Sequence, residues 1–218
     1  MKFIHSIVNF LVEGGFWMTP ILIVGVVGFS IALERFIKLN KVERANRKMW
    51  EELQPVIIQR DFNKARQMTA NDNSTISQLL LTGLECHGAA QEMRREEVEL
   101  AMEEEMMAVI HQLEKRTPYL ALYANLATLM GLLGTIIGLI QAFDAVANAA
   151  PAEKANLLSS SISVAMNCTA FGLIVSIPLM IMHLFLSTKA SAIVDSLEMA
   201  ALKTLNVIAS TARRSKTD

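Results

Sequence analysis

Residues 126–143 read LATLMGLLGTIIGLIQAF, and this stretch decides the fold because it contains no charged side chain. The charge-free run around it covers residues 118–143, and two further runs cover residues 14–33 and 155–188. Each run reaches the roughly 20 residues that an α-helix needs to cross the hydrocarbon core of a bilayer. The sequence therefore predicts three membrane-spanning helices.

The composition also indicates a membrane protein. Of the 218 residues, 52% are hydrophobic, and the mean hydropathy of +0.36 is high for a soluble domain of this size. The formal net charge of -1 gives no basic field that would attract nucleic acid. One of the two cysteines lies in a polar segment and the other in an apolar run, so the sequence predicts no disulfide framework.

The charged residues are placed very unevenly, and their positions predict an orientation. More than half of them lie between residues 41 and 116, a segment that must therefore be in water. Basic residues cluster directly after the first apolar run, whereas Lys2 alone precedes it. Because cytoplasmic loops carry the excess of Lys and Arg, we expect residues 40–117 in the cytoplasm and the N-terminus outside. Three crossings return the basic C-terminal tail to the cytoplasm, which satisfies the same rule.

The predicted fold class is an all-α integral membrane protein with three transmembrane helices and long cytoplasmic helical extensions. Its predicted segments are an external N-terminal segment (1–15), transmembrane helix 1 (16–39), a cytoplasmic helical domain (40–117), transmembrane helix 2 (118–143), a short external loop (144–158), transmembrane helix 3 (159–187), and a cytoplasmic C-terminal helix and tail (188–218). The first apolar run lacks a small-residue cleavage site, so we expect it to be retained as an anchor.

Within the polar domain, helical composition predicts helices over residues 61–68 and 91–113, with a break at residues 71–74. We expect the second of these helices to lead into the second span. Pro118 at that junction allows two interpretations, a kink or the first turn of a new helix.

The second span has one face of small and hydroxylated residues. At 3.6 residues per turn, Thr128, Gly131, Thr135 and Gly138 fall on one stripe of the helix. Such a stripe is typical of a packing seam, where small residues let two helices approach closely. It also suits an ion path lined by hydroxyls, but the spacing alone favours the packing seam.

The third span carries more polar atoms than a simple anchor requires. Ser163 and Asn167 share one arc of the helix with Ser159. Thr169 and Gly172 lie on roughly the opposite arc, together with Ser176 and His183. This arrangement predicts a helix that contacts polar surroundings on two sides, as a helix between two neighbours would.

These stretches resemble a known family. Residues 131–138, GLLGTIIG, are similar to the GLxGTVxG pattern of the second span in ExbB and TolQ proteins. Residues 162–178, ISVAMNCTAFGLIVSIP, are similar to the third-span pattern of the same proteins, which ends in TAxGLxxAIP. The exit from the first span, ALERFIKL at residues 32–39, also resembles them. The chain is thus similar to the MotA/TolQ/ExbB proton channel family, and most similar to its three-span ExbB/TolQ-type stator subunits.

The resemblance implies an assembly and a function. It implies a homopentamer in the bacterial inner membrane around two copies of a single-span ExbD/TolR/MotB-like partner with an intramembrane aspartate. It implies an ion-conducting stator subunit that converts a proton or sodium gradient into mechanical work on the cell envelope or on a transport machine. The only implied small ligand is the transported H⁺ or Na⁺, with no further cofactor.

The resemblance also implies roles for single residues. Thr135 and Thr169 match the pore-facing threonines of the family, and we extend the expected ion pathway to Thr128, Ser163 and Asn167. The expected helix-packing positions are Gly131, Gly134, Gly138, Gly172 and Pro178. One departure matters: Val164 stands where many relatives carry a glutamate, so the partner must supply the intramembrane carboxylate. Surroundings rich in hydroxyls and poor in carboxylates suit Na⁺ at least as well as H⁺.

Several alternatives remain open. Asp144 is either an interfacial helix-end residue or a point where ions enter, and His183 is either a satisfied interfacial histidine or a proton relay. A passive oligomeric scaffold that recruits cytoplasmic partners would use the small-residue stripe for assembly alone. The sequence contains no phosphate-binding glycine loop, no His/Cys metal spacing and no nucleophile–base pair, so we do not expect an enzyme.

Overall fold

The computed structural model describes residues 17–89 and 95–214 and consists of α-helices over these ranges. The helices, in chain order, are α1 (Met18–Ile58), α2 (Phe62–Ala70), α3 (Thr75–Ala89), α4 (Arg95–Glu114), α5 (Thr117–Asn148) and α6 (Lys154–Arg214). No strand occurs within the described ranges, which confirms the all-α class. The predicted external segment 1–15 lies outside the described residues.

Three helical segments are long and apolar enough to cross a membrane. They are Met18–Ile58, Glu96–Asn148 and Lys154–Thr211, and the second includes both α4 and α5. These segments contain the second and third charge-free runs and residues 18–33 of the first, so the prediction of three candidate spans is confirmed. The cytoplasmic placement of the extensions and the pentamer stay predictions.

The first and last helices, α1 and α6, continue well past the predicted ends of their spans. α1 extends to Ile58 and α6 to Arg214, although the predicted spans end at residues 39 and 187. Lys, Arg, Glu and Met are good helix formers, so the change from apolar to charged sequence gives the backbone no reason to stop. The predicted span ends at residues 39 and 187 are therefore not ends of helices.

The polar region contains one helix more than the sequence predicted. α2 confirms the helix expected at residues 61–68, and the break at 71–74 is also confirmed, but α3 follows directly after it. α4 confirms most of the helix expected over 91–113, whose first four residues lie outside the described ranges. Arg116 has a left-handed φ of 68°, and Pro118 lies in the first turn of α5. Pro118 therefore begins a new helix, where its missing N–H is not needed.

The chain divides into two compact units. Among the described residues, the first comprises residues 17–35 and 116–185, and the second comprises residues 36–89, 95–115 and 186–214. In the first unit α6 packs against both α1 and α5, with Val175 and Leu179 next to Gly25 and Gly28 of α1. The third span thus lies between two neighbours, as predicted, but only the arc with Thr169 meets one of them, and the contact with α1 is made by the apolar Val175 and Leu179. The polar surroundings predicted for the Ser163 arc do not occur within the single chain.

Large apolar side chains of the first unit face outward. Ile23, Leu129, Ile181 and Leu184 are each about 60–70% exposed. Such a surface is unstable in water and stable in hydrocarbon. The first unit therefore has the surface of a membrane-embedded bundle.

The second unit has an apolar core and an ion pair between its two long helices. Leu53, Leu79, Leu80 and Leu197 are completely buried, and burying each such side chain contributes about 1.5–3 kcal/mol. Lys189 of α6 lies 2.7 Å from a carboxylate oxygen of Glu43 of α1. This ion pair joins the two long helices within the unit.

A carboxylate cap organises the start of α3. Asp72 accepts hydrogen bonds from the Ser74 backbone N–H, at 3.0 Å, and from the Ser74 and Ser77 hydroxyls. Partial burial raises the pKa of Asp72, but the hydrogen bonds from these serines lower it by more, so the pKa lies below its usual value. Asn46 of α1 accepts from the backbone N–H of Ile76 at 3.2 Å, which holds the first turn of α3 against α1.

Candidate functional site

The second and third spans approach each other so closely that backbone meets backbone. A Cβ atom added to Gly172 would lie 2.7 Å from the carbonyl oxygen of Ala127 and 3.0 Å from the Cα of Gly131. A Cβ added to Gly131 would lie 3.2 Å from the Cα of Gly172. Both glycines are buried. No larger residue fits at either position unless the helices separate.

Two further glycines of α5 continue this contact. A Cβ on Gly134 would overlap the sulfur of Cys168, and a Cβ on Gly138 would lie 2.9 Å from the Cβ of Ala165. Gly131, Gly134, Gly138 and Gly172, all predicted as packing positions, thus lie together in one seam between α5 and α6. Pro178, the fifth predicted packing position, is exposed within α6.

Two of the predicted ion-pathway hydroxyls lie in this seam and bind across it. Thr169 donates to the carbonyl oxygen of Gly131 at 2.9 Å. The hydroxyls of Thr128 and Ser176 are 2.8 Å apart, and Thr128 also lies 3.2 Å from the carbonyl oxygen of Ala124. A hydroxyl has one proton, so Thr128 can donate to Ala124 while it accepts from Ser176. Both threonines serve the pairing of α5 and α6 in the single chain.

Thr135 differs from these two. Its hydroxyl donates to the carbonyl oxygen of Leu132 in its own helix at 2.6 Å, and the residue is half-buried. The oxygen keeps lone pairs that can accept a hydrogen bond or coordinate a cation. Thr135 lies at the edge of the seam, where such a partner can reach it.

The remaining two predicted pathway residues lie on another face of α6. Ser163 is exposed and Asn167 is half-buried, on the side of the helix away from the Thr169–Gly172 arc. Val164 beside them is 37% exposed and provides no titratable group. The single chain therefore does not bring all five predicted residues into one site: the hydroxyls of the seam and the polar face of α6 are separate.

The two ionisable residues considered at the ends of the spans have defined partners or surroundings. Nδ1 of His183 lies 3.1 Å from the carbonyl oxygen of Thr117. A carbonyl only accepts, so Nδ1 carries the proton and the half-buried imidazole is held by the first turn of α5. This supports the interpretation of a satisfied interfacial histidine. Asp144 is exposed on α5, and the structure leaves both of its interpretations open.

Sequence reasoning gave no role to several residues that build the site. Ser176 was noted as polar but not as the partner of Thr128, and Cys168 was not recognised as the neighbour of Gly134. Glu34 and Arg116 form an ion pair of 3.0 Å in the first unit. The signal for Ser176 was its place on the same arc as Thr169, but the register that selects Thr128 appears only when the two helices are docked.

Comparison with known proteins identifies the family of this chain. A model of the MotA/TolQ/ExbB proton channel family matches residues 71–199, which is more than half of the chain. The chain belongs to this family. The matched region includes all of α5 and the apolar part of α6, so the seam described above lies within it. Membership confirms the resemblance that the three sequence motifs suggested.

Named relatives agree with the family. The biopolymer transport protein exbB1 of Vibrio cholerae is 38% identical over 68 residues, which are 31% of this chain and 30% of that protein. The Tol-Pal system protein TolQ of Haemophilus influenzae is 36% identical over 93 residues, 43% of this chain and 40% of that protein. A putative ExbB homolog of Methanothermobacter thermautotrophicus is 26% identical over 205 residues, 91% of this chain and 69% of that protein. The matches to the first two relatives span less than half of their lengths.

The described residues do not form a metal site. Over residues 17–89 and 95–214, no three His, Cys, Asp or Glu side chains lie close enough together to hold a metal ion. The polar side chains within the charge-free parts of the predicted spans are mostly hydroxyls, with the amides of Asn125, Gln141 and Asn167 and the imidazole of His183. What they can do chemically is bind water, donate and accept hydrogen bonds, and coordinate a cation weakly through neutral oxygens.

Proposed function

We propose that this chain is an ion-conducting stator subunit that uses a proton or sodium gradient across a membrane to do mechanical work. It acts with a single-span ExbD/TolR-like partner, and the work is delivered to the cell envelope or to a transport machine. No covalent bond is made or broken. The proposal rests on the family, whose description is that of a proton channel, and on relatives named for biopolymer transport and for the Tol-Pal system.

One structural observation carries the proposal beyond the family name. The face of α6 that carries Ser163 and Asn167 points away from its contacts with α5, and Ser163 is exposed there. Polar side chains facing lipid are unfavourable, so this face meets water or another protein chain. In a homopentamer around two copies of the partner, it would face the partner helices and the ion path. Because Val164 is apolar, the partner's aspartate would be the carboxylate that takes up the ion.

The proposal includes a location and an orientation. The chain would lie in a bacterial inner membrane with its N-terminus outside and its C-terminus in the cytoplasm, because its basic residues flank the spans on one side. The polar extensions of α1 and α6, together with α2, α3 and α4, would then be cytoplasmic.

The first experiment tests the assembly. Mass photometry of the chain in mild detergent, alone and co-expressed with a candidate single-span partner, should show five copies alone and five copies with two partners. A stable monomer or dimer in several detergents would contradict the stator function. Capture of no aspartate-bearing partner by a correctly assembled pentamer would favour the scaffold.

The second experiment tests the ion path. Ser163→Ala and Asn167→Leu should each reduce gradient-driven growth, uptake or motility while the pentamer remains intact, because both remove polar atoms from the exposed face of α6. Thr135→Ala should do the same, and Thr135→Ser should retain activity because it keeps the oxygen. Repeating the assay across Na⁺ concentrations and with a protonophore identifies the coupling ion. Activity that depends on Na⁺ and persists with the protonophore would identify Na⁺, and activity that follows only the proton gradient would identify H⁺.

A specific observation favours a second function for part of the site. Thr128 and Thr169 are engaged in bonds between α5 and α6, as a packing seam in a passive scaffold requires. Normal gradient-driven activity in a Thr135→Ala, Ser163→Ala, Asn167→Leu triple variant would leave the scaffold as the better explanation.

A further inference from the structure

Helix α1 has an exposed basic face just beyond its charge-free run. Lys41, Arg44 and Lys48 are spaced three and four residues apart, so they lie on one side of the helix, and we call them the basic stripe. All three side chains are exposed. Like charges at this spacing repel one another and destabilise a helix slightly. An anion bound to this face would remove that repulsion.

The nearby acidic residues do not neutralise the basic stripe. Glu43 is 2.7 Å from Lys189, and Glu51 is 3.0 Å from Arg47. In the part of the chain that the structure describes, no carboxylate lies within 4.0 Å of a charged nitrogen of the basic stripe. The three positive charges are therefore available to a ligand.

A shallow groove connects this charge with apolar surface. It has a volume of about 350 Å³ and is lined by Phe36, Ile37, Asn40, Lys41 and Arg44. Ile37 is 59% exposed, and Phe36 is 38% exposed. Along the helix axis the apolar pair comes first, and the cations follow one and two turns later. A ligand that fits this order has an apolar chain next to an anionic group.

The position of the groove along α1, relative to the end of the charge-free run, indicates which kind of ligand it binds. The charge-free run ends at Leu33, and at 1.5 Å per residue Lys41 and Arg44 begin about 12 Å and about 16 Å beyond it. Helical side chains lean toward the N-terminus, so both cations reach back toward the headgroup layer, which is about 5–8 Å thick. Lys48 begins about 22 Å beyond Leu33, and at physiological salt a charge at that distance is largely screened.

We propose that Phe36, Ile37, Lys41 and Arg44 form a binding site for an anionic phospholipid. An acyl chain lies on the two apolar side chains, and the phosphate lies next to the two cations. The site depends on insertion into a membrane and not on ion conduction, so it stands or falls separately from the stator function.

The test is native mass spectrometry of the full-length protein in detergent, titrated with phosphatidylglycerol or with phosphatidylcholine of the same acyl chains. The wild type should bind phosphatidylglycerol more tightly. Lys41→Gln and Arg44→Gln should each weaken that binding about fivefold, and leave phosphatidylcholine binding unchanged, because each removes one cation near the headgroup. Arg44→Lys should retain the selectivity because it keeps the charge.

Two controls separate the site from diffuse electrostatics. Lys48→Gln lies in the same stripe but farther from the headgroup layer, and Lys64→Gln makes the same change at an exposed position on α2. Both should weaken phosphatidylglycerol binding less than twofold. An equal loss in Lys64→Gln, or no selectivity in the wild type, would overturn the proposal. Competition by millimolar inorganic phosphate would also overturn it, since the site would then recognise free phosphate and not lipid.

Discussion

Alanine at Gly172 tests the close approach of the second and third spans. The new Cβ would lie 2.7 Å from the Ala127 carbonyl oxygen, a backbone atom that cannot move by itself. Ordinary van der Waals contact for such a Cβ begins at 3.4 Å, so the helices must separate by about 0.7 Å at this point. The same shift would stretch the 2.9 Å bond from Thr169 to the Gly131 carbonyl to about 3.6 Å, beyond hydrogen-bond range.

Two effects of the Gly172→Ala substitution lower the stability, and one effect raises it. Overpacking costs about 1–3 kcal/mol, and the lost interhelical hydrogen bond costs about 0.6 kcal/mol. Alanine is a better helix former than glycine, which offsets about 1 kcal/mol. We therefore expect Gly172→Ala to lower the free energy of unfolding by about 0.6–2.6 kcal/mol.

The measurement is reversible unfolding in mixed micelles with increasing dodecyl sulfate, followed by circular dichroism. The matched control is Gly28→Ala, whose Cβ would lie 2.8 Å from a terminal methyl of Leu179. The distance is nearly the same, but a leucine methyl can rotate away, so we expect a loss below about 1 kcal/mol. If Gly172→Ala is as stable as the wild type, or if both variants lose the same amount, the backbone contact does not limit the packing.

Three further predictions concern other parts of the molecule. Reporter fusions at Asn71 and Lys216 should read cytoplasmic and one at Ala152 external, and a cytoplasmic signal at Ala152 would refute the three-span topology. Asp72→Asn should lower the free energy of unfolding by about 1 kcal/mol at pH 7, since it weakens the cap of α3. Folding lowers the pKa of Asp72, so the stability that its carboxylate contributes is present above the unfolded-state pKa and is lost as the pH falls through the folded-state pKa. If the stability difference between the wild type and Asp72→Asn persists in full at low pH, this explanation is wrong. Arg116→Gln should change stability by less than about 1 kcal/mol, because its ion pair is half-exposed, and a larger loss would show that the pair is not a simple surface bridge.

The helices of the membrane region could be predicted well from the sequence. A charged side chain is unfavourable in lipid whatever its tertiary contacts, so each candidate span can be recognised from its own residues. The three charge-free runs were found without any knowledge of tertiary contacts. For the start of α5, the sequence left two interpretations of Pro118, a kink or the first turn of a new helix. α3 was not predicted, although its apolar residues have a helical period: Ile76, Leu79, Leu80 and Leu84 are spaced three and four residues apart and are buried. Its start depends on Asn46, a residue thirty positions earlier, and on the Asp72 cap.

The candidate site was predictable in its residue types but not in its pairings. Helical spacing placed Thr128 and Gly131 on one stripe of α5 and Thr169 and Ser176 on one arc of α6. Whether a threonine faces its own neighbouring helix or an open face depends on the register of the two helices, which spacing within one helix does not contain. This is why Thr128 and Ser163, predicted for one pathway, lie on different surfaces of the single chain.

The tightness of the α5–α6 seam has a consequence for the cell. Where Gly131 and Gly172 bring backbone against backbone, there is no room for a file of water, so a lone copy in the bilayer offers ions no route between these helices. Any conducting path has to run along other faces and needs further chains to enclose it. In the stator proposed above, surplus copies could therefore be inserted into the membrane before their partners without dissipating the ion gradient.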